Sequence, residues 1–196
     1  EYIKYVSDNR HQSTAIMSQL CFLIGTIFHN CQQSEIIGLK DVLLPIVVKT
    51  TNHIDKNVQC TGVKVMIKIL ELHVEYLDLS SNEDISDIII HSITCEHCDV
   101  KNSGITLLLR ISKSLTCVKQ DFQCYIDKGI LKLMKELFVG HINEFLSILT
   151  QVTQQFKNEV SKVGFIPFLV AIFQGPRIED NIQKAALLLR TLELSR

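Results

Sequence analysis

The chain has no tryptophan, three prolines and eight glycines in 196 residues. So few breakers leave long uninterrupted stretches, which argues against an all-β chain with regularly spaced turns. No charge of one sign dominates, since 20 Lys and Arg stand against 21 Asp and Glu for a net charge of −1. A neutral total supplies no bulk field toward nucleic acid or an anionic membrane. No apolar run approaches the roughly 18 residues of a membrane span. The longest, such as 42–48 and 105–109, are short and amphipathic. There is also no Asn-x-Ser/Thr glycosylation acceptor.

What is present is apolar and helix-like. Hydrophobic residues make up 46% and charged residues 21%, enough to bury a continuous core and to leave some apolar faces awaiting cover. Apolar positions recur at three- and four-residue spacing almost throughout, so strands are not expected. The seven cysteines (21, 31, 60, 95, 98, 117 and 124) are odd in number and sit mostly inside apolar stripes. A secreted domain would pair them in loops. They read instead as free, mostly buried thiols, with Cys21, Cys60 and Cys124 packing as small hydrophobes. An intracellular setting, cytoplasmic or nuclear, follows as an expectation. The chain starts at Glu1 with no signal-peptide pattern and is expected to be a fragment of a longer protein.

Core triplets at i, i+4 and i+7 recur along the chain: Gly62/Met66/Ile69, Gly104/Leu108/Ile111, Phe145/Leu149/Val152 and Ala185/Leu189/Leu192. Their first members (62, 104, 145, 185) fall 42, 41 and 40 residues apart. A period of this size marks a helical solenoid. Small residues open three of the triplets, where helices cross closely; Phe145 departs from that pattern and suggests a local distortion. A second set of helices aligns independently at 39–50, 83–93, 129–138 and 164–173. Pro45 and Pro167 are expected in the first turn or so of their helices, where a missing N–H costs little. Gly129 and Gly164 fall in the same turn before a helix. Short first helices are expected at 119–127 and 158–163, and loops at 78–83, 114–118 and 174–178. Residues 12–29 read as the third helix of a truncated repeat.

The segment 157–196, KNEVSKVGFIPFLVAIFQGPRIEDNIQKAALLLRTLELSR, resembles one armadillo repeat, with its GxIPxLVxLL second helix and AAxALxxL third helix. The resemblance is good there, fair over 118–157 and looser upstream. It implies an all-α, right-handed armadillo-like solenoid of about four to five repeats. The repeats would run over 12–33 (partial), 34–77, 78–116, 117–157 and 158–196 within one domain, 1–196. About thirteen to fifteen helices, three per repeat, are expected.

In armadillo proteins the third helices line a concave groove, and an Asn near the last core position clamps an extended peptide. Here that position holds Lys68, Arg110, Gln151 and Thr191, with no Asn among them. The position four residues earlier, often Trp in that family, holds Lys64, Thr106, Ser147 and Leu187. This departure argues against an extended basic targeting peptide. Lys64, Lys68, Arg110 and Lys113 form a basic strip instead, and Gln151, Leu187 and Thr191 continue the groove. The same cations also fit a plain solvated helix face.

No catalytic motif is present: no phosphate loop, no Gly-x-Ser-x-Gly elbow and no His-Glu-x-x-His. Glu83-Asp84 and Glu179-Asp180 read as acids favouring helix N-termini. Cys95, His97 and Cys98 supply three zinc-type ligands, but a structural site needs four and no second pair lies nearby. No metal or other cofactor is expected.

The reading is a non-catalytic protein-interaction scaffold that holds an acidic or amphipathic peptide segment in its concave groove. One alternative is a structural solenoid that self-associates, for example as a homodimer, or packs on further repeats through its apolar ends. Nucleic-acid binding through the basic strip is disfavoured by the neutral total and sparse aromatics, and no membrane partner is expected.

Overall fold

Stripes of apolar residues at helical spacing give each helix one face to bury, and the chain satisfies them by stacking helix on helix. The computed structural model describes residues 14–73, 83–114, 122–175 and 178–193. Among them there are α-helices and one 3-10 turn, and no strand. The fold is all-α, an armadillo-like solenoid of about four to five repeats. Two compact units divide it, Glu1–Arg110 and Ile111–Arg196.

In the first unit, α1 (Thr14–Asn30) buries Met17, Leu20, Cys21, Ile24, Gly25 and Phe28 at the expected spacing. It packs on α3 (Lys56–His73), and both pack on α2 (Gln33–Thr51). Gly25 permits the approach of α1 to α3, because a Cβ there would stand 3.3 Å from the Val65 methyls. α4 (Glu83–Thr94) and α5 (Cys98–Ser114) follow. A hydrogen bond between Cys60 Sγ and Ser103 Oγ, 3.8 Å apart, joins α3 to α5.

In the second unit two three-helix repeats stand complete. α6 (Gln123–Asp127), α7 (Ile130–Leu137) with the 3-10 turn Phe138–Gly140, and α8 (Ile142–Thr153) form one. α9 (Lys157–Val163), α10 (Ile166–Ile172) and α11 (Glu179–Glu193) form the next. Gly129 and Gly164 hold positive φ angles of 83° and 78° between first and second helices, a conformation in which a side chain is strained. Lys135 Nζ donates to the Val163 carbonyl at 2.8 Å, so a side chain of one repeat satisfies the end of a helix in the next.

All four core triplets are buried except at Leu189, which is half-buried. The reason for glycine at their head is steric. A Cβ on Gly62 would lie 2.8 Å from Thr51 N, and one on Gly104 2.6 Å from Ser92 Cβ. Phe145 fits the same position because α7 ends early in the 3-10 turn, and its ring stacks on Phe138 with centroids 6.4 Å apart.

Several expectations need correction. Residues 33–51 form one continuous helix, so Pro45 lies inside α2 and not in its first turn. It is tolerated because Pro45 and Asp41, whose carbonyl it leaves unbonded, both face solvent. Pro167 does sit at the start of α10. The described residues hold eleven α-helices, which fit about four to five repeats; where a second helix was expected at 39–50, α2 runs as one helix over Gln33–Thr51. Residues 119–121 and most of the loops expected at 78–83 and 114–118 lie outside the described residues, as does Cys117. The thiols are less buried than expected. Cys21 and Cys60 are buried, Cys31, Cys95 and Cys124 are half-buried, and Cys98 is exposed. Cys124 is on the five-residue α6, too short to sink both faces.

Candidate functional site

The third helices α3, α5, α8 and α11 each bury the triplet stripe and turn other positions outward. On α3, Lys64 and Lys68 are exposed, four residues apart and so one turn apart on one face. On α5, Arg110 and Lys113 are exposed and three apart. Cys60 on α3 and Ser103 on α5 are in contact. The first unit exposes Lys64 and Lys68 on α3 and Arg110 on α5.

The second unit is different in chemistry. Gln151 on α8 and Thr191 on α11 are half-buried, and Leu187 is 54% exposed. Hydroxyls on these helices bond back to their own backbone. Thr191 donates to the Leu187 carbonyl at 2.8 Å, and Ser147 to that of Asn143 at 2.9 Å. Thr106 does the same to Asn102 at 2.9 Å in the first unit. Each hydroxyl proton is thereby committed to its own helix.

One residue of this face escaped the sequence reading. Lys184 Nζ donates to Ser147 Oγ at 3.1 Å, linking α11 to α8, and forms an ion pair with Asp180 at 2.6 Å. Its position just before the Ala185 triplet holds Thr61, Ser103 and Glu144 in the other repeats, so no shared residue type marked it.

The Cys-Glu-His-Cys segment lies at the turn between α4 and α5. Lys56, His91, Thr94, Cys95, Glu96 and His97 line an open cleft of about 580 Å³ beside it. Asn102 Nδ2 donates to Cys98 Sγ at 3.4 Å. Among the described residues, no three His, Cys, Asp or Glu side chains group so as to hold a metal ion. Glu179 and Asp180 open α11, and Glu83 opens α4, as acids at helix starts. No helix among the described residues is long and apolar enough to cross a membrane.

Among the described residues, one titratable group stands clearly apart. Burial of Cys21 pushes its thiol from 9.0 up to about 11, against a smaller opposing effect of a hydrogen bond with Thr50.

No protein-family model matches the chain. By sequence it is similar to Exportin-T of Mus musculus, 31% identical over 94 residues, and of Danio rerio, 26% identical over 97 residues. Each match covers less than half of this chain, 45% and 46%, and about a tenth of the relative's length. By structure it is similar to an engineered protein (TM-score 0.70, 13% identity, 98% of this chain and 79% of the other). It is also similar to a designed armadillo repeat protein in complex with the peptide (KR)4 (TM-score 0.69, 15% identity, 97% and 80%). At such identities the likeness speaks for architecture, and the architecture of this chain is the armadillo-type α-solenoid.

Proposed function

We propose that this chain is a non-catalytic interaction module that holds an acidic or amphipathic peptide segment of a partner protein against its third helices. The carrying observation is the outward set of Lys64, Lys68, Arg110 and Lys113 above fully buried core triplets. Carboxylates are held there by charge-assisted hydrogen bonds, with Arg110 suited to bidentate contact. Gln151, Leu187 and Thr191 give the second unit a less charged surface for apolar contacts. A designed armadillo repeat protein of similar structure is in complex with the basic peptide (KR)4; the exposed cations of this chain suit the opposite charge. The partial match to Exportin-T supports an intracellular setting, cytoplasmic or nuclear.

The test is charge reversal. Lys68→Glu with Arg110→Glu is expected to weaken binding of an acidic peptide by about 2 kcal/mol or more if both contacts are desolvated. Helicity and melting temperature are expected to stay near the parent's, since exposed substitutions cost about 0.5 kcal/mol or less. A folded double variant that binds like the parent moves the interaction off this face.

A second reading rests on α1, where Ile16, Phe22 and Leu23 are 45%, 66% and 49% exposed. Exposed apolar side chains of this size suit packing on further repeats or on a second copy. Concentration-dependent dimers in ultracentrifugation, abolished by Phe22→Glu, support it; a monomer at all concentrations removes the second-copy form.

A further inference from the structure

Two cysteines, Cys95 and Cys98, bound the turn between α4 and α5. The ends of this turn are pinned. Ile93 and Val100, on either side of it, are fully buried. α5 folds back so closely on α4 that a Cβ on Gly104 would lie 2.6 Å from Ser92 Cβ. Thr94 Oγ1 donates to the carbonyls of Ile90 and His91, which satisfies the end of α4 within α4. The amide of Lys101 donates to the His97 carbonyl at 3.0 Å as α5 begins.

Between those ends the chain is open. It bends at Glu96 and His97, both exposed. Among the described residues the amides of these two have no hydrogen-bond partner. Cys95 is half-buried, Cys98 is exposed, and both are free thiols. Asn102 Nδ2 donates to Cys98 Sγ at 3.4 Å, so this sulfur serves as an acceptor at the surface. A four-residue turn that closes fully brings its first and last Cα atoms within about 7 Å, and a disulfide spans roughly 4.4–6.8 Å. With no amide bond to break at Glu96 or His97, the turn can close that far while the buried anchors stay in place. So short a loop also costs little entropy to close.

We propose that Cys95 and Cys98 form a reversible redox pair that is oxidised by glutathione disulfide. Exposed Cys98 gives up its proton, attacks one sulfur of the glutathione disulfide and becomes a mixed disulfide. The first glutathione leaves as a thiolate and takes up a proton. Cys95 then gives up its own proton and attacks the Cys98 sulfur. The protein disulfide forms and the second glutathione leaves. In sum two protein thiols are oxidised, and one glutathione disulfide is reduced to two glutathiones. The open cleft of about 580 Å³ that Cys95 lines leaves room for the tripeptide to approach. The oxidised form ties the end of α4 to the start of α5. This site is independent of the cationic strip.

The test is mass spectrometry of the reduced full chain after glutathione disulfide and acid quenching. Trypsin releases residues 69–101 as one peptide that holds these two cysteines and no other. In the parent this peptide is expected to lose two hydrogens, to keep no glutathione, and to regain the hydrogens with dithiothreitol. Cys95→Ser is expected to stop at the mixed disulfide, with one glutathione held on Cys98. Cys98→Ser is expected to react at Cys95 several-fold more slowly than the parent reacts. Circular dichroism checks that both variants keep the parent's helicity. A parent peptide that stays a dithiol while other cysteines react overturns the site. A parent peptide that retains glutathione on Cys98 overturns the role of Cys95. A folded Cys98→Ser variant that reacts as fast as the parent overturns Cys98 as the attacking thiol.

Discussion

Two glycines that look alike in the sequence behave as opposites in the structure. Both Gly38 and Gly62 lie inside helices, but a Cβ on Gly38 meets nothing within 4 Å and one on Gly62 meets backbone at 2.8 Å. Gly38→Ala is therefore expected to stabilise the protein by about 0.5–1 kcal/mol through helix propensity. Gly62→Ala gains the same propensity and is expected to lose about 1–3 kcal/mol to overpacking. Denaturant melts of both variants check the pair; a stabilised Gly62→Ala removes the close-crossing account of the triplets. Cys21 gives a second expectation at this scale. Its thiol is raised to about 11 in the fold from 9.0, so the unfolded chain ionises first as pH climbs. The contribution is fully present below pH 9 and is lost as pH rises toward 11. Cys21→Ala should flatten the fall in stability over that window, read from melts in a pH series. In the native protein a thiol reagent should label exposed Cys98 well before Cys21 or Cys60. After denaturation all seven thiols should react without prior reduction.

At the scale of elements, α2 is where the sequence misled. Pro45 reads as a helix starter because proline fits a first turn, as Pro167 does in α10. In the structure the apolar stripe of 33–51 runs on through it, and burial of Leu43, Ile46 and Val47 outweighs one missing bond on the wet side. Proline in a helix interior costs about 3 kcal/mol. Pro45→Ala is accordingly expected to raise stability by about 1–3 kcal/mol, the lower end allowing for the freer unfolded chain. A destabilised Pro45→Ala would show that the ring makes packing contacts that outweigh the missing hydrogen bond. By contrast Gly129 and Gly164 were legible as turn positions, because a left-handed residue before a helix leaves a glycine in the sequence. The 3-10 turn after α7 left a subtler mark, in the Phe145 that replaces a small residue.

At the scale of the molecule, the period of 40–42 residues between core triplets carried the solenoid reading. It survives in the structure because each triplet seats a third helix on its own second helix, a local contact that sequence spacing records. The candidate site was legible only in part. Lys64, Lys68, Arg110 and Lys113 are visible as charges at outward positions, while the Lys184 bridge to Ser147 depends on side chains meeting across repeats. Such meetings leave no periodic trace. The central claim is that the cationic third-helix face selects an acidic segment. Its most direct test is a fluorescence-anisotropy comparison of an alternating Asp-Glu peptide with a (KR)4 peptide of the same length, at low and moderate salt. The account predicts preference for the acidic peptide by about tenfold or more, weakening with salt, and reversed in the Lys68→Glu, Arg110→Glu variant. Equal affinity for both peptides, or a preference unchanged by the double reversal, would contradict it.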